Sequence, residues 1–365
     1  MSHTDDHQSD QLNDAARDAM LAGREARYDH LEKILIEYPR AAKILSEIAF
    51  IHRHAHRAAE MRGLLITGPK GAGKTTLIDV YINTFAPDYG AETIKRPIMF
   101  ATVPSRATAD GLASALLYGL GDPRWANGNL NNKTTRIHEF LRRCETRLLI
   151  LDEIQHFQDG QNLNHIEDAA RWLKILLKDK QVKLACVFVG LEGWTDKLMR
   201  ANAGQLGRLF TDEYVLAPLK WDETGGLKTN EFRIFLDELD AQLPFDARAG
   251  LVDEDLAWRC HVATGGLVNY VMKLVRRAGY LAIDLGRPCI DRALLAEAYD
   301  KELAKGRRGI PNPFDGDERP EPPLPADADA ERAEIAGVGR RPGRRKVKGA
   351  TAGSKEQVEQ ILPSE

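Results

Sequence analysis

Cysteine is scarce and unpaired. The 365-residue chain has four, Cys144, Cys186, Cys260 and Cys289, and none stands in a C-x-x-C pair. That scatter excludes a disulfide frame and a cysteine-based zinc site, and reads as ordinary intracellular thiols. Long apolar runs are absent too, so no membrane-spanning segment is expected. The first ten residues are polar and acidic, unlike a signal peptide, and a cytoplasmic location is expected. The net charge is only -3. No global basic field demands nucleic acid, although a local basic face stays open. No internal repeat is present. What remains, 43% hydrophobic and 29% charged residues, is ordinary for one large or two smaller soluble domains.

Against that plain background one stretch is specific. Gly68-Pro69-Lys70-Gly71-Ala72-Gly73-Lys74-Thr75 fits G-x-x-x-x-G-K-[ST]. An apolar run over 61–67 precedes it and a helix-compatible pattern starting at Thr76 follows. Strand, glycine loop and helix are what phosphate binding requires. Glycines let the backbone curl so that successive N–H groups face phosphate oxygens, and the helix N-terminus adds partial positive charge. The expected nucleotide contacts run from Gly68 through Thr76. Lys74 is expected to reach the β- and γ-phosphates of ATP, and the Thr75 hydroxyl to bind Mg²⁺.

A second element supports the first. Arg147-Leu148-Leu149-Ile150-Leu151 is an apolar strand that ends in Asp152 and Glu153. Asp152 is expected to hold Mg²⁺ through water. Glu153 is expected to polarise the water that attacks the γ-phosphate. A carboxylate pair of this kind points to hydrolysis as well as binding.

The organisation follows from periodicity. Residues 1–23 read as a disordered N-terminus. Residues 24–60 carry apolar positions at helical spacing, broken at Tyr38-Pro39, and read as two helices. His52 and His56 fall on one helical face, but no Cys or carboxylate completes a metal site, and a solvated basic helix end is the expectation. Residues 61–219 alternate strands, at 64–66, 98–103, 148–151, 184–189 and 213–216, with helices. Such alternation predicts an α/β domain with a mostly parallel sheet flanked by helices. Residues 220–304 show no strand pattern and read as a small helical lid domain. Residues 305–365 read as a disordered tail with a basic patch at 339–349. That patch is either a solvated charge run or a salt-sensitive anchor on DNA or an acidic protein face.

A parallel nucleotide sheet followed by a helical lid is the layout of an AAA+ P-loop NTPase. Within that class the chain resembles the TniB family of transposition ATPases, relatives of TnsC. The resemblance rests on Tyr38-Pro39-Arg40, on Arg62-Gly63-Leu64-Leu65-Ile66 before the phosphate loop and on Asp152-Glu153-Ile154-Gln155-His156. Val189-Gly190, Gln205-Leu206 and Asn312-Pro313-Phe314 complete it, over roughly residues 25–315. It implies a regulator that binds ATP, assembles on duplex DNA as a ring or filament without reading sequence, and recruits a DDE-type transposase. A TniQ-type target-selection protein is the implied further partner, and hydrolysis disassembles the complex. The implied location is cytoplasmic, at the nucleoid when DNA is bound.

The resemblance also implies an arginine that reaches the γ-phosphate of a neighbouring subunit. Gln205-Leu206-Gly207-Arg208-Leu209-Phe210 places it at Arg208, one position early, with Arg200 second. The end of the fourth strand, Gly190-Leu191-Glu192, offers no Asn or Thr as a polar sensor. In the lid, Asn269 stands where an arginine is usual. These departures imply slow hydrolysis. Candidate DNA contacts are Arg106, Lys133 and Arg136, on segments after the second strand. Two other readings share the same nucleotide residues: a helicase-loader or initiator-type ATPase, and a nucleotide-gated adaptor with little hydrolysis.

Overall fold

The computed structural model describes residues 13–322, except 59–60, 86–87, 90–93, 106–107, 159–162, 179–182, 194–209, 225, 228 and 308–309. Its centre is a parallel five-stranded sheet built from β1 (Gly63–Thr67), β4 (Ile98–Thr102), β5 (Leu148–Asp152), β6 (Ala185–Gly190) and β7 (Phe210–Val215). The spatial order is β4-β5-β6-β1-β7. β6 thus lies between the strand leading to the phosphate loop and the strand ending in the carboxylates. Residues of β1, β5 and β6 are buried along their whole length, as expected of parallel strands covered on both faces.

Side chains alternate between two cores. Leu64, Ile66, Leu148, Ile150, Val187 and Val189 face one. Leu65, Met99, Leu149, Leu151, Cys186 and Phe188 face the other. The first is covered by α3 (Pro39–His54), α4 (Lys74–Asn83) and the helical lid. The second is covered by α5 (Ala109–Leu120), α6 (Leu130–Arg143) and α7 (Leu163–Leu177). A short antiparallel pair, β2 (Asp88–Tyr89) with β3 (Ile94–Lys95), lies outside the main sheet.

The lid consists of α8 (Glu231–Ala241), α9 (Glu254–Thr264), α10 (Val268–Asp284) and α11 (Arg292–Glu302). The turn from α9 to α10 uses Gly265 and Gly266, both with positive φ. A Cβ at Gly266 would stand 2.2 Å from the Leu219 carbonyl oxygen. The Leu219 amide donates to the Gly266 carbonyl at 2.8 Å. The chain leaving β7 is therefore pressed against the lid turn at a point only glycine permits. No helix among the described residues is long and apolar enough to cross a membrane.

Three expectations need correction. The N-terminal segment is not featureless throughout. α1 (Asp14–Ala22) precedes α2 (Arg24–Lys33), capped by the Asn13 side chain and buried at Ala16 and Ala19. Residues 310–322, assigned by composition to the tail, fold back on the lid. Phe314 is 3% exposed in the core. The Arg259 guanidinium, 1% exposed, donates to the carbonyls of Pro313, Gly316, Asp317 and Glu318. Finally, His52 is not a solvated helix end. It is buried, its Nδ1 is 2.9 Å from the Tyr81 hydroxyl, and its ring packs on Tyr81 and Phe85. No cluster of three metal-ligating side chains occurs among the described residues.

Candidate nucleotide site

Both sequence motifs arrive at the carboxyl end of the sheet, where open parallel sheets place their ligands. The loop after β1 turns at Gly68, Gly71 and Gly73, with φ of 158°, 85° and 92°. A Cβ at Gly68 would lie 2.4 Å from the Leu216 carbonyl oxygen, so the chain just past β7 crowds the start of the loop. Ala72 is buried beneath it. Lys74 opens α4, and its Nζ donates to the carbonyls of Gly68 and Pro69 at 2.9 Å each. The ammonium is thereby held inside the loop curl. Burial lowers its pKa, and nearby Asp152 and Glu153 oppose that shift.

Thr75 and Asp152 meet directly. The Thr75 hydroxyl donates to Asp152 Oδ2 at 3.1 Å. Asp152 Oδ1 accepts from the Glu153 amide at 2.7 Å. Burial raises the Asp152 carboxyl, the Glu153 amide and Thr75 hydroxyl work against it, and the Glu153 carboxylate adds to it. Two hard oxygens, a hydroxyl and a carboxylate, side by side at a half-buried site suit a small divalent cation such as Mg²⁺. Glu153 has φ +58°, unusual for a residue with a side chain. The Gln155 amide donates to its Oε2.

These groups line one cavity of about 660 Å³. Lys70, Gly71, Thr76, Asp152, Glu153 and Asn269 are among its walls, with Gln155, His156, Gly190 and Leu191 closing one end. The lid belongs to this wall because the Asn269 amide donates to the Gly71 carbonyl at 3.0 Å. A second, mostly apolar cavity of about 120 Å³ opens on the other side of Gly73, Thr76 and Asn269, which line both. Ile36, Tyr38, Val80, Val268 and Met272 shape it. A charged groove bordered by a mostly apolar cavity has the two kinds of surface that a nucleoside triphosphate needs, one for phosphates and one for a base.

Sequence reasoning missed the apolar cavity, and it named Gln155 only as part of the family resemblance, without its bond to Glu153. No alternation of residue type marks that cavity in the sequence, because Leu35 is apolar. Ile34, Ile36 and Tyr38 are buried while Leu35 is exposed. That burial has a period of two, characteristic of extended chain, whereas the residue types alone fit helical spacing. The segment is indeed non-helical, because α2 stops at Lys33 and α3 begins at Pro39.

The expected DNA contacts fare differently. Lys133 points inward. It is 3% exposed, and its Nζ bonds Asp110 at 2.7 Å and Ser114 at 2.9 Å. Arg136 is spent on the carbonyls of Arg124 and Asn127 and on Asp122 at 3.4 Å. Lys133 is thus engaged inside the protein, while Arg136 is partly exposed and held by backbone carbonyls, neither of which charge alone discloses. Arg106, Arg200 and Arg208 lie outside the described residues.

The parallel sheet, phosphate loop, strand-end carboxylates and docked helical lid define the class: a P-loop protein of the AAA+ ATPase type. A family model for the bacterial TniB protein matches residues 27–211, just over half of the chain. The chain belongs to the TniB family. No curated protein matches it. In fold it is similar to ORC2 of Aeropyrum pernix in ADPNP-ADP complexes, at 16% identity and TM-score 0.53, over 75% of this chain and 71% of that one. It is also similar to ORC1 of Aeropyrum pernix in complex with DNA, at 18% identity and TM-score 0.53, over 73% and 66%. Cdc6p of Pyrobaculum aerophilum aligns at 16% identity and TM-score 0.50, over 84% and 82%.

Proposed function

We propose that this chain is an ATP-dependent regulator of DNA transposition. It assembles on duplex target DNA in the ATP state and recruits or activates a DDE-type transposase, with hydrolysis controlling disassembly. The observation that carries the nucleotide part is the meeting of Lys74, Thr75, Asp152 and Glu153 at one cavity. Membership of the TniB family supports the transposition part.

In this reading the loop amides and Lys74 bind the β- and γ-phosphates, and residues 34–38 with Met272 enclose the base. Thr75 and Asp152 hold Mg²⁺, which when bound neutralises phosphate charge. Glu153 takes a proton from water as the water oxygen bonds the γ-phosphorus. The bond from that phosphorus to the β-γ bridging oxygen breaks, leaving ADP and inorganic phosphate. Arg208, with Arg200 second, is the proposed arginine supplied to a neighbouring subunit, where it offsets developing charge. Arg106 and the basic run 339–349 are the remaining proposed contacts to DNA phosphates, and a TniQ-type protein is a proposed further partner. A slow rate is part of the proposal, because a timed switch needs a long-lived ATP state.

Phosphate release measured with duplex DNA tests the enzymatic half. Glu153→Gln should lower turnover by about 10²- to 10⁴-fold, the usual worth of a general base, while ATP still binds. Equal rates in wild type and Glu153→Gln would overturn hydrolysis by this site. A wild-type turnover above about 10 per second, an ordinary enzyme rate, would contradict the slow switch.

A further inference from the structure

Gln155 sits two residues past the carboxylate pair, in the 3₁₀ turn Ile154–Gln158. Its side chain spans two strands. The amide nitrogen donates to Glu153 Oε2, at the end of β5. The amide oxygen accepts from the Leu191 backbone N–H, just past β6, at 3.3 Å. A free Glu153 carboxylate would have many orientations; this bond selects one. The turn itself is anchored, since the His156 amide donates to the Glu153 carbonyl at 2.9 Å and His156 Nδ1 lies 2.9 Å from the Val103 carbonyl.

The neighbouring sequence makes room for this bridge. A Cβ at Gly190 would fall 2.3 Å from Ile154 Cγ1 and 3.0 Å from Gln155 Oε1. Any larger residue would push the turn off β6 and break the bond to Leu191. The end of β6 has no polar side chain of its own in the cavity. Glu192 is exposed and absent from its walls, to which this stretch contributes only Gly190 and Leu191. The polar group missing from β6 is delivered from β5.

We propose that Gln155 is the positioning residue for Glu153: it fixes the carboxylate by bridging it to the end of β6, in place of a side chain that β6 lacks. The proposal rests on the hydrolytic reading above and adds the residue that sets Glu153 in place. Because the bridge ends on β6, the strand between β5 and β1, a shift of β6 relative to β5 would release the carboxylate.

The test is a double-mutant cycle on the full chain, with duplex DNA present. Gln155→Met keeps the length without donor or acceptor; Gln155→Glu keeps the acceptor and loses the donor. Phosphate release and the affinity of a fluorescent ATP analogue are measured for each, alone and with Glu153→Gln. We expect both variants to lower turnover by about 100-fold, the cost of a misplaced reacting group. Analogue affinity should stay within about twofold, and neither variant should slow the Glu153→Gln protein further, since residues that act as a unit are not additive. Unchanged turnover in Gln155→Met would overturn the proposal. So would loss of analogue binding together with additive losses in the Glu153→Gln background, the mark of a structural brace. If wild type and Glu153→Gln hydrolyse equally slowly, the hydrolytic reading itself falls and takes this one with it.

Discussion

Single residues differ in how far sequence discloses them. The meeting of Lys74, Thr75, Asp152 and Glu153 at one cavity was legible because each motif is local: a loop of fixed spacing, and two acids at a strand end. The contacts of Lys133 and Arg136 were not legible because their partners, Asp110 and Asp122, come from a different helix and a loop. Charge shows in sequence; the direction of a side chain does not. His261 shows the same limit. It lies among Trp221, Trp258 and Phe232, with Nε2 3.3 Å from the Leu219 carbonyl. Burial, with Arg307 as a smaller contributor, lowers its pKa from 6.5 to about 4, against the bond to Leu219. At neutral pH the ring is neutral in both folded and unfolded chains. As pH falls below 6.5 the unfolded ring takes a proton and the folded ring does not, so stability is lost until pH reaches about 4. At pH 5 that loss is about 2 kcal/mol. Urea denaturation at pH 7 and pH 5 should show this loss in wild type and a smaller one in His261→Phe. Identical pH dependence in the two proteins would contradict the assignment.

Elements were legible where a pattern repeats and hidden where a segment is held only by distant parts. The five strands of the main sheet and the lid helices followed from periodicity; the short β2–β3 pair did not. The strand-like segment 34–38 and the folded segment 310–322 did not. Each lacks internal hydrogen-bonded repeats and owes its shape to the lid. Arg40 illustrates such anchoring, with Nη1 2.7 Å from the Ala217 carbonyl and Nη2 2.8 Å from Glu231. The held segment predicts a measurable penalty. Phe314→Ala should destabilise the protein by about 3 kcal/mol or more, as for other buried aromatics. A change under about 0.5 kcal/mol, typical of surface sites, would mean that residues 310–322 do not pack in solution. The lid turn makes a second prediction. Gly266→Ala places a methyl against the Leu219 carbonyl at positive φ. It should cost at least about 1 kcal/mol. It should also weaken ATP binding, because the same turn sets Asn269 against Gly71. Wild-type affinity for ATP in a destabilised Gly266→Ala would uncouple the lid from the site.

At the scale of the molecule, sheet and lid converge on one place. The phosphate loop lies on β1, the carboxylates on β5 and Gln155 crosses to β6, while the lid closes through Asn269 and Met272. A ligand that touches both halves ties their relative position to its own presence. Such coupling would let a nucleotide state be read at a surface, as the proposed assembly on DNA requires. Electron microscopy of the full chain with duplex DNA in ATP, a non-hydrolysable analogue or ADP tests this most directly. The account predicts rings or helical filaments on DNA with the two triphosphates and none with ADP, and longer-lived ATP assemblies in Glu153→Gln. Particles that ignore DNA in every nucleotide state would contradict it.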